Sequence, residues 1–210
     1  MTQGRFITFE GGEGAGKSTQ LRRLAARLAP GREVVATREP GGSPGAESIR
    51  DLLVNGAADR WSPVTETLLM YAARRDHVER VITPALARGA WVVCDRFADS
   101  TRAYQGAAGG TDPLLISSLE TYVLAGVRPD LTLILDLPTE AGLARAGGRG
   151  DAESRFESKG LAFHERLRAA FLDIARAEPD RCAVIEAAQD EDTVAAAVWE
   201  AVGARLHPDG

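Results

Sequence analysis

The chain has 210 residues, 44% of them hydrophobic, which is enough to bury a substantial core in one domain or at most two. Lys and Arg total 25 against 30 Asp and Glu; the net charge of −5 argues against non-specific attraction to nucleic acid or an anionic membrane, so any polyanion must meet a local site. No charged n-region followed by an apolar stretch opens the sequence, and no run approaches roughly eighteen consecutive apolar residues, so a soluble, cytoplasmic protein is expected.

In chain order, short apolar runs at Phe6–Phe9, Val34–Thr37, Trp91–Cys94, Leu131–Leu135 and Cys182–Ile185 predict five strands buried on both faces. Between and after them, Ser18–Leu28, Glu47–Leu53, Glu66–Ala87, Pro113–Leu124, Glu140–Ala146, Leu161–Ala177 and Thr193–Leu206 return their apolar residues every three or four positions and predict helices. Alternation of the two predicts an α/β fold, a five-stranded parallel sheet with helices on both faces, over one domain spanning 1–210. The polar, glycine-rich segment 147–159 stands apart and reads as a mobile lid. Cys94 and Cys182, each inside an apolar run, read as small buried hydrophobes in a reducing compartment.

The first predicted strand runs directly into Gly11-Gly12-Glu13-Gly14-Ala15-Gly16-Lys17-Ser18-Thr19, and a predicted helix follows. This is the G-x-x-x-x-G-K-[ST] phosphate loop in its required context. Its glycines let backbone N–H groups converge on phosphates, Lys17 supplies a point charge, and Ser18 offers a hydroxyl to Mg²⁺. Two more polar clusters close strands. Asp95-Arg96 ends the third, where Asp95 can hold the Mg²⁺ shell and Arg96 a phosphate, and Arg38-Glu39-Pro40 ends the second, where Arg38 can fork onto a phosphate. In the lid, Arg145, Arg149 and Arg155 lie close together. Arginines on a closing flap would supply charge to a transferring phosphoryl group, and Arg149 and Arg155 are favoured for it. His77, His164 and His207 show no metal-ligand spacing, so no zinc site is expected.

With these residues assembled, the chain resembles the bacterial thymidylate kinases, P-loop nucleoside monophosphate kinases that transfer phosphate from ATP to dTMP. The likeness is carried by FITFEGGEGAGKSTQ, TREPGGSPGAESIRDLL, LLMYAARRDHVERVITPAL, VVCDRFADSTRAYQG, PDLTLILDLPTEAGLARA and the RFE of the lid. It implies that Glu13 meets the sugar hydroxyl of dTMP, that Arg38 and Arg96 clamp its phosphate, and that Glu39 lies near the metal or its waters. It further implies that Arg74 and Thr101 read the thymine edge, that Tyr104 packs on the deoxyribose leaving little room for a 2′-hydroxyl, and that Ser100 and Gln105 line the pocket. The family divides on whether the loop carries an extra basic residue. Here Glu13-Gly14 has none, so the lid should supply the charge.

Met70 departs from the family, which commonly has an aromatic there to stack on thymine; methionine gives a softer contact, and an apolar helix stripe containing it would by itself read as core. Ser154 stands where an acid is common and Ser43 where threonine is frequent. The resemblance also implies a homodimer. The rival readings are a kinase of another monophosphate or of a deoxynucleoside, and a nucleotide switch. Guanine-specific switches usually carry Asn-Lys-x-Asp, which is absent from this sequence.

Overall fold

The computed structural model describes residues 4–57, 59–147, 156 and 159–208. The β-branched and aromatic runs form β1 (Arg5–Glu10), β2 (Val34–Arg38), β3 (Trp91–Asp95), β4 (Leu131–Asp136) and β5 (Cys182–Glu186). They pair in parallel in the order β2-β3-β1-β4-β5, the five-stranded sheet expected from the alternation. The order reverses around β1, because the chain leaves β1 toward β2 on one side and later crosses to β4 on the other. Such a reversal opens a crevice at the carboxyl ends of the strands. Register places Arg38 beside Asp95 and Asp95 beside Phe9, so the polar ends of β1, β2 and β3 emerge level with one another.

The described helices are α1 (Lys17–Leu28), α2 (Pro44–Val54), α3 (Pro63–His77), α4 (Thr83–Ala87), α5 (Ala98–Thr101), α6 (Pro113–Leu124), α7 (Thr139–Gly147), α8 (Leu161–Ala177) and α9 (Glu191–Leu206). On one face of the sheet Ile7, Phe9, Val93 and Leu133 bury against Leu21, Leu24 and Leu28 of α1 and Val194, Val198 and Val202 of α9. Spacings of three and four bring each helical set onto a single stripe. On the other face Phe6, Val92 and Cys94 pack with Ile82 and Leu124, and Ile134 packs with Phe163, Leu167 and Phe171 of α8. Both cysteines are free and buried, and burial pushes the Cys182 thiol up to about 11.

Helix boundaries differ from the sequence expectation where local chemistry intervenes. Pro44 and Pro63 occupy first-turn positions, and the Asp190 side chain accepts the Asp192 and Thr193 N–H groups at 3.0 Å, so α2, α3 and α9 begin earlier than apolar periodicity indicates. The single helix expected over 66–87 is instead broken at Val78–Ile82 by a wider turn, with the Thr83 N–H reaching back to the Val78 carbonyl. Pro84 follows after Thr83 and cannot donate within a regular helix, which accounts for the interruption there. A second such stretch, Arg102–Ala108, continues α5. Of the lid segment 147–159, only Gly147, Phe156 and Lys159 are among the described residues. Among the described residues no helix is long and apolar enough to cross a membrane.

Candidate active site

The loop between β1 and α1 folds as its glycines require. Gly11 and Gly14 have φ of 130° and 68°, and a Cβ on them would sit 2.4 Å from the Leu135 carbonyl oxygen and 2.1 Å from that of Gly142. Lys17 starts α1, is buried, and curls back to donate from Nζ to the Gly12 carbonyl at 2.7 Å. Burial and the neighbouring Arg96 guanidinium lower its ammonium to about 8, against the pull of Glu13, Asp95 and Glu10. Ser18 Oγ donates to Asp95 Oδ2 at 2.5 Å, so the two oxygens expected around a metal lie together at the mouth of the loop.

Arg96 occupies the left-handed region at φ 68°, an uncommon conformation for a residue with a Cβ. Several bonds hold it there. Its N–H donates to the Phe9 carbonyl at 2.9 Å, and Nη1 donates to the Gly11 carbonyl at 2.9 Å. The next N–H, of Phe97, donates to Glu10 Oε1 at 2.8 Å, and Ser100 Oγ donates to Glu10 Oε2 at 2.6 Å. Glu10 is fully buried, and burial reinforced by Asp99 pushes its carboxyl up to about 8. Sequence reasoning missed Glu10. Its one signal is that an acid closes an otherwise apolar strand.

The turn aims Arg96 at Glu13. Arg96 Nη2 forks to both Glu13 oxygens at 3.1 Å, and Tyr104 Oη donates to Glu13 Oε1 at 2.5 Å. Burial would raise the Glu13 carboxyl, but Arg96, Lys17 and the Tyr104 hydroxyl together hold it at about 2. Glu13 is therefore a fixed anion facing a cavity that Arg38, Met70, Arg74, Thr101 and Tyr104 also line. Arg74 is buried on the wall: Nε donates to Glu39 Oε2 at 2.6 Å, Nη1 to Thr101 Oγ1 at 3.1 Å and Nη2 to the Phe97 carbonyl at 2.9 Å. Met70 combines both of its sequence readings, buried yet on the cavity wall. Gln105 lines the cavity and donates to Glu66 Oε1 at 2.8 Å, while Ser100 lines it next to Arg96.

Two residues of the sequence reading, Glu39 and Arg38, also have partners within the protein. Glu39 directs one carboxylate oxygen to Arg74 and the other to His77 Nδ1 at 2.8 Å, so both are taken within the protein although its backbone N–H bonds the Asp95 carbonyl. It serves as the counter-charge of Arg74, and His77 relays the contact to Thr37 Oγ1 at 2.8 Å. Arg38, half-exposed at the cavity rim, forks to Glu47 of α2, whose Oε1 also accepts the Gly42 N–H at 2.8 Å. Arg149 and Arg155 lie outside the described residues.

A second recess opens on the far side of the loop, lined by Gly14, Gly16, Thr19, Arg145, Gln189 and Asp190. Arg145 is anchored there by Nη1 on the Ala187 carbonyl at 3.1 Å. In sequence Arg145 looked like one more lid charge, because nothing local links α7 to the chain after β5. Behind the loop, His164 is buried and its Nε2 has no partner among the described residues.

Against known proteins, residues 9–198 match the family model for thymidylate kinase. The chain is 72% identical to the thymidylate kinase of Caulobacter vibrioides over 98% of its own length and 99% of the relative's. It is 54% identical to that of Bradyrhizobium diazoefficiens, over 98% and 92% respectively. Among solved structures, the thymidylate kinase of Ehrlichia chaffeensis superposes with a TM-score of 0.77 at 37% identity, covering 94% of this chain and 98% of that one.

Proposed function

Because the chain belongs to the thymidylate kinase family and phosphorylates dTMP with ATP, we propose that the two cavities flanking the phosphate loop hold its two substrates. dTMP occupies the cavity under Glu13, Arg74 and Tyr104, and ATP spans Gly11 to Thr19 with its base toward Arg145 and Gln189. The observation that carries this reading is the Glu13, Arg96 and Tyr104 cluster. A carboxylate beside bound phosphates is repulsive unless it has another task, and here it faces the cavity where a sugar hydroxyl would donate to it.

In the mechanism, Arg38 and Arg96 clamp the dTMP phosphate. Arg38 then exchanges Glu47 for a stronger dianionic partner. The attacking oxygen needs no general base, since a phosphate monoester with a second pKa of about 6 is already largely ionised at neutral pH. Lys17 follows the migrating phosphoryl group, and Arg149 and Arg155, which lie outside the described residues, would add positive charge to it. Tyr104, held by Glu13, presses on the sugar where a 2′-hydroxyl would project, and Arg74 with Thr101 faces the base.

The donor set at the loop mouth suits Mg²⁺, because Ser18 Oγ and Asp95 Oδ2 are hard oxygens and substrate phosphates with water can complete the shell. Ser18 and Asp95 would hold the ion, which when bound offsets charge on the β- and γ-phosphates. The test of the acceptor assignment is turnover with dTMP against its ribose counterpart.

We also propose a homodimer formed through α3 and α6. Val64 and Leu68 are 47% exposed on α3, and Leu114 and Tyr122 are 75% and 82% exposed on α6, a helix that packs on α3, and a second copy would cover them. Sedimentation velocity should give a dimer for the native chain and a monomer for Leu114→Glu with Tyr122→Glu; a native monomer would exclude this assembly.

A further inference from the structure

The helical segment 98–108 carries Ser100, Thr101, Tyr104 and Gln105 toward the acceptor cavity. Its other side carries Asp99 and Arg102, which enter a polar network that no part of the reaction uses. Asp99 is buried and takes a two-pronged bond from Arg181, Nη1 to Oδ2 at 2.7 Å and Nη2 to Oδ1 at 2.9 Å. Arg181, just before β5, also donates to Thr132 Oγ1 of β4 at 2.7 Å and to Glu178 Oε2 at 2.7 Å. Arg102 makes a second two-pronged pair, with Glu120 of α6 at 2.7 and 2.6 Å, and reaches Glu178 Oε1 at 2.7 Å. The Tyr71 hydroxyl of α3 closes the network on Glu120 Oε1 at 3.2 Å.

We propose that Asp99, Arg102 and Arg181 are positioning residues of the acceptor site, forming a strut that fixes the wall bearing Thr101, Tyr104 and Gln105 to β4, β5 and α6. Three features carry this. The segment follows the left-handed Arg96 and continues as a wide-turned helix, so its own backbone is an irregular support. Its cavity-side bonds, Tyr104 to Glu13 and Arg74 to Thr101, join groups that an acceptor would engage for itself, whereas the strut lies beyond the substrate's reach. Finally, largely buried ion pairs add little net stability over apolar replacements, but paired two-pronged arginine bonds define both distance and angle.

This inference rests on the acceptor reading above, and the experiment separates the two. Steady-state kinetics would be measured for the native enzyme, Arg181→Met, Arg181→Lys and Asp99→Asn, varying dTMP, its ribose counterpart and ATP, with thermal unfolding alongside. The strut predicts that Arg181→Met and Asp99→Asn raise KM for dTMP by about 5–30-fold and narrow the deoxyribose preference, while KM for ATP stays within about twofold, since a displaced wall misplaces only the acceptor. Arg181→Lys should recover part of the loss by restoring one prong. Unchanged KM for dTMP, or KM for both substrates rising together in step with lost thermal stability, would overturn it. If Arg181→Met fails to fold, Asp99→Asn decides the matter, because it keeps the shape and removes a single charge. A native enzyme without deoxyribose preference would sink the acceptor reading itself, a result distinct from variants that leave an intact preference unaltered.

Discussion

Lys17→Met should lower kcat for dTMP-dependent ADP formation by about 10²–10³, the scale on which removal of one preorganised donor to a transition state acts. The side chain is buried and curled onto the Gly12 carbonyl, so its charge is held in place before substrate arrives. Lys17→Arg should rescue little, because a planar fork does not fit a site shaped for a compact ammonium. The pH dependence has a defined sign. With its ammonium lowered to about 8 by burial and by Arg96, free Lys17 is charged at neutral pH and loses its proton as pH rises through that value. The kcat/KM for ATP, which reports the free enzyme, should therefore fall above about pH 8, and the Lys17→Met variant should lack this limb. A kcat within about fivefold of native would contradict the role given to Lys17.

Glu39→Ala should be the most destabilising single change on the cavity wall. It leaves the Arg74 guanidinium buried without a counter-charge and removes the partner of His77 Nδ1. Breaking a buried pair from one side costs about 3–5 kcal/mol. For a chain of this size each kcal/mol shifts Tm by about 2–4 °C, so calorimetry should show a fall of about 6–20 °C. Glu39→Gln keeps the shape and one acceptor but not the charge, and should fall between alanine and native. Loss of dTMP affinity should accompany both, since Arg74 is aimed at Thr101 and the Phe97 carbonyl by the same pair. A Tm within about 2 °C of native in Glu39→Ala would show that Arg74 needs no ionic support.

Local patterns carried most of what the sequence revealed. The phosphate loop was legible because glycine, lysine and hydroxyl spacing is dictated by phosphate geometry, and the strands because continuous apolar runs have few other uses. Asp95, Arg96 and Arg38 were legible as strand ends in a parallel sheet, and the register does bring Arg38 level with Asp95, with Arg96 next in the chain. What escaped was chemistry assembled from distant segments. Glu10 looked like the last residue of a strand, yet it holds the Phe97 N–H from 87 positions away. The bonds of Glu39 to Arg74 and His77 were not legible either, because both partners lie on a helix whose packing no local pattern predicts. Asp99 and Arg102 are three apart and resemble a solvated pair, whereas Arg181 and Glu120 make them part of a largely buried network. The broken helix at 78–82 was hidden by apolar periodicity that continues straight through it, although Pro84 was a readable warning.

The proposed acceptor assignment puts the deoxyribose nucleotide in the cavity between Glu13, Arg74 and Tyr104. Its most direct test is kcat/KM for dTMP and for the same nucleotide with a ribose sugar, measured with ATP and Mg²⁺ in native enzyme and in Tyr104→Ala. A buried polar group facing a crowded wall should penalise the extra hydroxyl by about 1–3 kcal/mol, so the native enzyme should prefer dTMP by about 5–150-fold and Tyr104→Ala should lose most of that preference. Equal use of both sugars by the native enzyme, or a preference untouched by loss of the ring, would place the sugar somewhere other than against Tyr104.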